Sequence, residues 1–494
     1  MPATTRTPVA QQRGRLGAVS AAHPLAAAAG TDVLRQGGNA VDAVVAASAV
    51  VCVLMPEAAS LGGDLLALVR RPDGTTVAVN GTGASALEAT PDLWLTGGGS
   101  VTTPGLVAAW AAMHGSAGRL PLGAVLAPAL GLARDGVALT QSLSVAVTAQ
   151  RARLLTGGAQ AWDLVHRRVG ERWRQPELAD LLQAVGDDGP DAFYRGPAAV
   201  AVAGAVRRNG GWLDEADLAA HTTDVRQPVT VRWGGAAVHV QPPMTQGVLL
   251  AMALHELESV WLGTAEQPAD DDALAHLLVE LTEAVFAHRS DCGRGAELLS
   301  EPLPVDPERA AHRGGPRAYL HTAGVAAADA DGLVVSSLVS VFDDFGSAVY
   351  VPELGLTLNN RAAGFTDGAN APGRGRKPVH TLAPALVEGR TVLALATPGA
   401  DGQVQTLLQI LVALRQGPLT LSEAVAALRW RTEGGALLLE DGHPALAGLA
   451  ARGHDVIVRP AGDPVFGGVV GAGVDDDGPF CVSDWRRQVS SAVA

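Results

Sequence analysis

Two runs of small and β-branched residues, separated by a DADG turn cluster at 329–332, occupy the stretch from His321 to Phe342. Such runs on either side of an Asp/Gly turn predict two antiparallel strands joined as a hairpin. With a loop of two or three residues, Thr322 lies opposite a residue between Val339 and Val341, and a three-residue loop pairs it with Ser340. The hairpin therefore predicts a second hydroxyl beside that of Thr322.

A threonine at the start of such a strand has two interpretations. Thr322 is an ordinary β-branched strand residue, or a cut between His321 and Thr322 turns it into an N-terminal nucleophile. The preceding segment, 301–321, is rich in Pro, Gly and Arg and has no periodicity, which is typical of a loop. Such a loop can deliver a scissile bond, so the second interpretation predicts a self-cleaving hydrolase.

Composition favours one large globule that acts on small molecules. No Pro/Ser-rich or charged linker divides the 494 residues, of which 48% are hydrophobic and 17% charged. The net charge of −14 opposes binding to nucleic acid or to an anionic membrane surface. Three distant cysteines, Cys52, Cys292 and Cys481, argue against a disulfide framework. With no apolar leader or membrane span in the sequence, we expect a cytoplasmic protein whose residues 1–15 are disordered.

Nine further segments occur in a fixed order, which is far more specific than any one of them. They are SAAHPLAAAAGTDVLRQGGNAVDA (20–43), MPEAASLGGD (55–64), TTPGLVAAW (102–110), LAPALGLARDGVAL (126–139), QPPMTQG (241–247), DDFGS (343–347), LNNRAAGF (358–365), ATPGADGQ (396–403) and SDWRRQ (483–488). Together with the hairpin they closely resemble the gamma-glutamyltransferase family of N-terminal-nucleophile hydrolases, from about Leu16 to Arg487.

The resemblance implies an α+β fold, a four-layer αββα sandwich whose two central sheets are built jointly from both fragments of one precursor. Cleavage before Thr322 would give a large subunit, 16–321, and a small subunit, 322–494, which remain associated. A further oligomer of this heterodimer is an open possibility. Local patterning predicts helices at about 25–36, 41–53, 270–288 and 404–414, strands near 65–70 and 76–79, and a mostly helical region at 122–218.

The chemistry implied is covalent catalysis by Thr322. Its freed α-amine, with a pKa of about 8, can serve as the general base. Ser340 matches the position whose hydroxyl supports the nucleophile. Gly399 and Ala400, in a glycine-rich turn that offers backbone N–H groups, match the positions of the oxyanion hole. We therefore expect these four residues to form the catalytic group, unless the turn uses glycine for its shape alone.

Substrate recognition departs from that of true glutamyl transferases. Gly81 stands in place of the arginine that pairs with the glutamyl carboxylate, and Gly364 in place of the acidic residue that grips the α-ammonium. Arg361 and Phe342 replace a glutamine and an asparagine. Because the side chains that recognise the charged groups of the glutamyl moiety are absent, selective binding of a γ-glutamyl group is not expected.

The remaining motifs are similar to those of the branch that includes oxamate amidohydrolase. Arg361 is then the candidate for binding a substrate carboxylate, because a guanidinium can bind one bidentately; the alternative is a solvated surface arginine. The other residues expected around the substrate are Asn360, His380, Thr381, Asp401 and Phe342. The favoured function is cleavage of the C–N bond of a small acidic amide through an acyl-enzyme.

Three alternatives remain. The first is true γ-glutamyl transfer or glutathione hydrolysis, and the second is removal of an oxalyl-type acyl group, even across a C–C bond, from a biosynthetic intermediate. The third is an uncleaved binding protein, since His321 and Ala323 are unusual beside the cut. No cofactor is expected, and Glu283, His288 and Cys292 do not establish a metal site.

Overall fold

A computed structural model describes residues 8–263, 271–311, 322–416 and 419–494. His321, the residue expected before the scissile bond, lies outside the described residues. Within them, no helix is both long enough and apolar enough to cross a membrane.

The first of two seven-stranded sheets carries the Thr322 hairpin. Its neighbouring strands are antiparallel throughout. Their spatial order is β21 (Ser490–Val493), β2 (Gly17–Ala21), β10 (Ala323–Asp329), β11 (Val334–Ser340), β3 (Asp64–Arg70), β4 (Thr76–Asn80) and β7 (Asp224–Arg226).

The second seven-stranded sheet is likewise antiparallel. Its order is β1 (Gln12–Arg13), β20 (Gly478–Ser483), β19 (Val470–Asp475), β15 (Val392–Ala396), β14 (Ala385–Glu388), β9 (Ala236–Val240) and β8 (Val229–Trp233). Three small sheets lie outside the two large ones. They comprise β5 (Val137–Ala138) with β6 (Arg172–Trp173), β12 (Tyr350–Val351) with β13 (Leu356–Thr357), and β16 (Trp430–Glu433), β17 (Ala436–Glu440) and β18 (Val456–Arg459).

The two large sheets pack face to face, and the alternation of side chains along each strand explains why. In β10, Ala326 and Ala328 face a core shared with Ala394 of β15 and Ala472 of β19. The odd-numbered residues of β10, such as Val325, face helices instead. Small side chains on the inner faces let the sheets approach closely. The glycine and alanine content noted in the sequence therefore forms the centre of the sandwich.

Helices cover both outer faces. On the first sheet lie α1 (Pro24–Arg35), α2 (Ala40–Leu54), α3 (Leu106–Ala117), α4 (Leu122–Asp135), α6 (Pro176–Asp188), α7 (Asp191–Tyr194), α8 (Gly196–Arg208) and α9 (Glu215–Ala219). On the second lie α10 (Gly247–Gly263), α11 (Asp271–Phe286), α12 (Gly402–Gln416), α13 (Leu421–Ala426) and α14 (Leu446–Ala451). The remaining helix, α5 (Gln141–Thr156), packs on an aromatic cluster at the side. The expected four-layer αββα architecture is confirmed.

Helix α2 shows how the sequence specifies these layers. Asn39 and Asp42 form a reciprocal capping box at its start, and every residue from Ala40 to Leu54 is buried. Two such caps satisfy backbone N–H groups that the helix itself cannot pair. A helix without a polar face fits only beneath other elements, and α2 lies between the first sheet and α1, α3 and α4.

Both halves of the chain supply strands to both sheets. In the first sheet, β10 and β11, which follow Thr322, lie between β2 and β3, which precede it. The N-terminus departs from expectation, because Gln12 and Arg13 pair with β20 and Arg13 forms an ion pair with Asp475. This part of 1–15 is ordered rather than disordered; its pairing partners lie more than 450 residues away.

Candidate active site

Thr322 lies at the open end of the hairpin, as its register predicts. Ala323 pairs with Val339, which places Thr322 opposite Ser340, and the Thr322 hydroxyl donates to the Ser340 hydroxyl across 3.3 Å. Asp329 N–H bonds to the Leu333 carbonyl, so the loop has three residues. The predicted pairing of Thr322 with Ser340 is confirmed. Both hydroxyls are buried at the edge of the space between the sheets.

A carboxylate extends this row onto the next strand. Ser340 of β11 pairs with Asp64, the first residue of β3. Residues that face each other across antiparallel strands point to the same side of the sheet. Thr322, Ser340 and Asp64 thus form one row over three neighbouring strands. At roughly 5 Å per strand, Asp64 lies about 10 Å from Thr322.

Arg361 contacts the Asp64 end of this row. Its Nε donates to Asp64 Oδ2 at 3.0 Å, its Nη1 donates to Thr381 Oγ1 at 3.4 Å, and its guanidinium stacks 4.6 Å from the centre of the Phe342 ring. Arg361 is completely buried, which excludes the solvated surface arginine. Among the described residues, its Nη2 has no hydrogen-bond partner. A buried, charged donor without a partner is costly, and an anionic ligand would satisfy it.

His380 is the third side chain of this buried group. Its Nδ1 accepts from Leu382 N–H at 3.1 Å, so its Nε2 carries the proton and donates to Asp64 Oδ2 at 3.2 Å. Burial, together with the charge of Arg361, lowers the pKa of His380 to about 4. Burial opposes ionisation of Asp64, but the hydrogen bond from His380 and the charge of Arg361 outweigh it and hold the Asp64 pKa below its usual value. At neutral pH this group is an Arg⁺–Asp⁻ pair with a neutral histidine.

The two glycines expected in place of charged side chains differ in their surroundings. A Cβ on Gly81 would lie 2.6 Å from the Gly105 carbonyl oxygen and 2.8 Å from Ala109 Cβ. No side chain fits there without a shift of the backbone. A Cβ on Gly364 would lie 3.6 Å from Pro378 Cβ and 3.8 Å from the Phe342 ring, which are ordinary van der Waals contacts. Room for a side chain is therefore lacking at Gly81 but not at Gly364.

The glycine-rich turn follows β15 and leads into α12. Gly399 and Ala400 have φ angles of 130° and 47°, in the left-handed region that is costly for alanine. Gln246 holds the turn, because its side-chain amide donates to the carbonyls of Ala400 and Thr381. Within the described part of the chain, the N–H groups of Gly399 and Ala400 donate to no protein acceptor. Two such N–H groups are suited to an oxyanion.

Asn360 and Asp401 have structural partners. The Asn360 amide bonds to Asp343 through both of its polar atoms and to the carbonyl of Leu95. It thereby fixes the loop in which Phe342 adopts a φ of 86°. Asp401 is buried and accepts from Arg289 Nε at 3.3 Å. Both hydrogens of the Asn360 amide are engaged, so donation to a substrate would require this side chain to exchange a partner.

A cavity of about 770 Å³ opens onto Thr322. Pro398, at the glycine-rich turn, also lines it, whereas Arg361, Asn360, His380, Thr381, Asp401 and Phe342 do not. Most of its wall is apolar, with Leu54, Val137 and Trp173 among the lining residues. Thr322 thus lies between two environments: the apolar cavity and the charged group centred on Asp64 and Arg361.

Glu57 is the unexpected polar residue of the cavity wall. Burial, reinforced by the nearby charge of Asp344, raises its pKa to about 8. Its Oε2 has no hydrogen-bond partner in the described part of the structure. At neutral pH Glu57 is protonated and can donate a hydrogen bond into the cavity.

Sequence reasoning did not assign roles to Asp64, Glu57 or Arg289. The first two lie within the motif MPEAASLGGD, which carried part of the resemblance, so a signal was present. An acidic residue inside an otherwise apolar, glycine-rich motif is unusual unless its charge is paired or its pKa is shifted. Arg289 lies in a polar stretch without such a contrast.

The chain is similar to known proteins over nearly its whole length. A family model described as Gamma-glutamyltranspeptidase matches residues 26–300 and 296–494. The chain is 31% identical to the Acylase ACY 1 proenzyme of Pseudomonas sp. (strain SE83), over 96% of this chain and 92% of that protein. It is 32% identical to the Oxamate amidohydrolase proenzyme of Klebsiella pneumoniae, over 90% and 91%. The crystal structure of a cephalosporin acylase from Bacillus halodurans superposes with a TM-score of 0.87 at 26% identity, covering 100% of this chain and 98% of that one.

Proposed function

Since the chain belongs to the gamma-glutamyltranspeptidase family of hydrolases, we propose that it is a proenzyme that cleaves itself before Thr322 and then hydrolyses the amide bond of an acidic substrate. The acylase and the oxamate amidohydrolase to which the chain is similar are both named proenzymes. The observation that carries the proposal is the row of Thr322, Ser340 and Asp64, with Arg361 at its end.

The maturation step uses the hydroxyl pair. Thr322 Oγ1 attacks the carbonyl carbon of His321, the C–N bond between these residues breaks, and an ester forms between His321 and the Thr322 side chain. Water hydrolyses the ester, which leaves a carboxylate on His321 and a free amine on Thr322. The products are the large subunit, 16–321 with its N-terminal extension, and the small subunit, 322–494. Because both contribute strands to each sheet, they stay associated.

Turnover repeats this chemistry on a substrate. The α-amine of Thr322 accepts the hydroxyl proton as Oγ1 attacks the substrate carbonyl. The N–H groups of Gly399 and Ala400 are suited to stabilise the oxyanion, and the leaving amine takes the proton. Water then releases the acyl group as an acid and restores Thr322. Ser340 positions the nucleophile through its hydrogen bond.

Arg361 is the reason why we expect an acidic acyl group in the substrate. Its unpartnered Nη2 is the one donor of the Asp64 network that lacks an acceptor among the described residues. The estimated distance of about 10 Å from Asp64 to Thr322 suits a short acyl group with a carboxylate at its far end. The absence of room at Gly81 argues against γ-glutamyl transfer or glutathione hydrolysis.

The experiment compares a charged substrate with its neutral analogue. We expect the mature enzyme to hydrolyse oxamate faster than oxamide, and faster than a γ-glutamyl chromogenic amide. Arg361→Lys keeps a positive charge beside Asp64 but removes the planar fork, so the preference for oxamate over oxamide should fall at least about tenfold. An unchanged preference in Arg361→Lys would rule out the carboxylate contact, and a γ-glutamyl preference would favour the transferase alternative.

The cavity favours a second candidate, the removal of an acyl group from a larger molecule. A volume of about 770 Å³ is within the range of pockets that enclose drug-sized ligands, and far exceeds what oxamate fills. A relative of the same fold is named a cephalosporin acylase. Oxalyl amides of aromatic amines test this candidate. A kcat/KM well above that for oxamate, lost when Ala58→Trp narrows the cavity, would identify the larger substrate class.

A further inference from the structure

A second cluster of functional side chains lies on the opposite helical layer, among residues that the proposed catalysis does not use. His276 and Glu280 are four residues apart on α11, and His454 follows α14. Among the described residues, these three form the group whose potential metal-binding atoms all lie within 4.8 Å of one another. His276 and Glu280 are fully buried, and His454 is partly exposed.

The orientation of His276 is fixed from outside the cluster. One ring nitrogen, Nε2, lies 2.8 Å from the backbone carbonyl oxygen of Asp306, and a carbonyl can only accept. Nε2 therefore carries the proton, and Nδ1 directs its lone pair towards His454 Nε2, 2.8 Å away. A hydrogen bond from a metal-binding histidine to a carbonyl is the usual device that sets its tautomer.

Glu280 is oriented in the same way. Its Oε1 accepts from Ala311 N–H at 3.0 Å, which positions the carboxylate beside the two histidine rings. A helical i, i+4 pair places His276 and Glu280 on one face of α11, one turn apart. The third ligand comes from a distant part of the chain. Two imidazoles and one carboxylate is a ligand set that zinc and related ions use.

We propose that His276 Nδ1, Glu280 and His454 Nε2 bind a divalent transition metal of the zinc class, with water in the fourth position. Metal–nitrogen bonds of about 2.0–2.1 Å in a tetrahedron hold two nitrogens about 3.3 Å apart, so the imidazoles need to separate by roughly 0.5 Å. Coordination through Nε2 places the ring proton of His454 on Nδ1, so the ring stays neutral. The partial exposure of His454 provides the path of entry.

The position of the site indicates a structural role. The residues that orient its ligands, Asp306 and Ala311, belong to the segment that leads towards Thr322. Ala310 N–H also bonds to the Arg452 carbonyl, next to His454. A bound ion would therefore fasten this segment to α11 and to the end of α14. We expect metal to stabilise the protein and not to take part in the chemistry at Thr322.

The test is metal binding by the chelator-treated full-length protein. Calorimetry with Zn²⁺ should show one tight site per chain, and Co²⁺ should give the visible absorption of a four-coordinate ion. Zn²⁺ should also raise the melting temperature. Glu280→Gln retains the acceptor for Ala311 N–H, so it should fold while weakening Zn²⁺ binding at least about tenfold, as should His454→Gln.

His255→Gln, which removes an exposed histidine from the adjacent α10, is the matched control and should bind Zn²⁺ as the wild type does. The proposal fails if the wild type binds no Zn²⁺ or Co²⁺, or if Glu280→Gln and His454→Gln bind both ions unchanged. In either case the cluster is a hydrogen-bonded histidine pair alone. Tight binding with the predicted losses would instead revise the sequence-based expectation that the chain has no metal site.

Discussion

At the scale of single residues, the environment of Thr322 is set by a small number of directional contacts. Ser340 Oγ accepts from the Thr322 hydroxyl and also from Phe342 N–H at 2.9 Å. Phe342 in turn lies against the Arg361 guanidinium. One serine thus connects Thr322, the strained loop and the arginine proposed to bind the substrate.

Ser340→Ala removes this connection and should slow both self-cleavage and turnover. We expect a loss of about tenfold to a hundredfold, equivalent to about 1.4–2.8 kcal/mol of transition-state stabilisation. Ser336→Ala is the control, because Ser336 lies on the same strand and face and donates a buried hydrogen bond to the Leu395 carbonyl. Equal rate losses in both variants, measured by fragment appearance on gels, would indicate a general effect on packing.

Glu57 should make stability depend on pH. Its pKa rises from 4.5 to about 8 on folding, so between these values the unfolded chain has lost the proton that the folded protein keeps. Stability therefore falls as pH rises through this window, by up to about 1.4 kcal/mol per pH unit, and levels off above it. Glu57→Gln should flatten the decline between pH 5 and pH 8 in urea unfolding. A decline as steep as that of the wild type would contradict the assigned burial.

Residue-level prediction succeeded where neighbours in sequence set the geometry. The pairing of Thr322 with Ser340 depends only on the hairpin loop between them. The state of Arg361 could not be foreseen, because Asp64 lies 297 residues away and meets it only after β3 takes its place beside β11. The sequence therefore identified Arg361 as a candidate but not Asp64, its buried partner.

At the scale of elements, β10 depends on the close approach of the two sheets. A Cβ on Gly324 would lie 2.8 Å from Val470 Cγ2 of β19, too close for packed atoms. This glycine lies two residues from Thr322. The position of Thr322 relative to the second sheet therefore depends on the absence of a side chain at 324.

Gly324→Ala should destabilise the protein by about 1–3 kcal/mol, the typical cost of overpacking a core. The same substitution at Gly131 has the opposite expectation. Gly131 lies within α4 with no atom within 4 Å of an added Cβ, so alanine there should stabilise by about 0.5–1 kcal/mol through helix propensity. Denaturant midpoints of the two variants measure both effects. Similar shifts in the same direction would show that the sheets are not tightly apposed at Gly324.

Elements with strong local signals were predictable to within two or three residues at either end. The expected helices at 25–36, 41–53, 270–288 and 404–414 correspond to α1, α2, α11 and α12. The strand at Gln12–Arg13 was missed, because two residues carry no periodicity and owe their conformation to β20. Short edge strands are defined by their partners and not by their own sequence.

At the scale of the whole molecule, the interleaving of strands from both sides of Thr322 explains how a cut chain can remain one enzyme. Neither half contains a complete sheet, since β10 and β11 separate β2 from β3. If the two halves separated, each would expose inner-face residues that the other half now covers. The architecture was predictable from the order of many motifs, whereas the cavity beside Thr322 arises from loops distant in sequence and was not.

Intact mass spectrometry of the wild type and Thr322→Ala tests self-cleavage at Thr322. We expect two masses for the wild type, with a new N-terminus at Thr322, and one full-length mass for Thr322→Ala. Thr322→Ser, which keeps a hydroxyl at the same position, should still be cut. A wild-type chain that stays whole, or a Thr322→Ala chain cut at the same bond, would contradict Thr322 as the nucleophile of maturation.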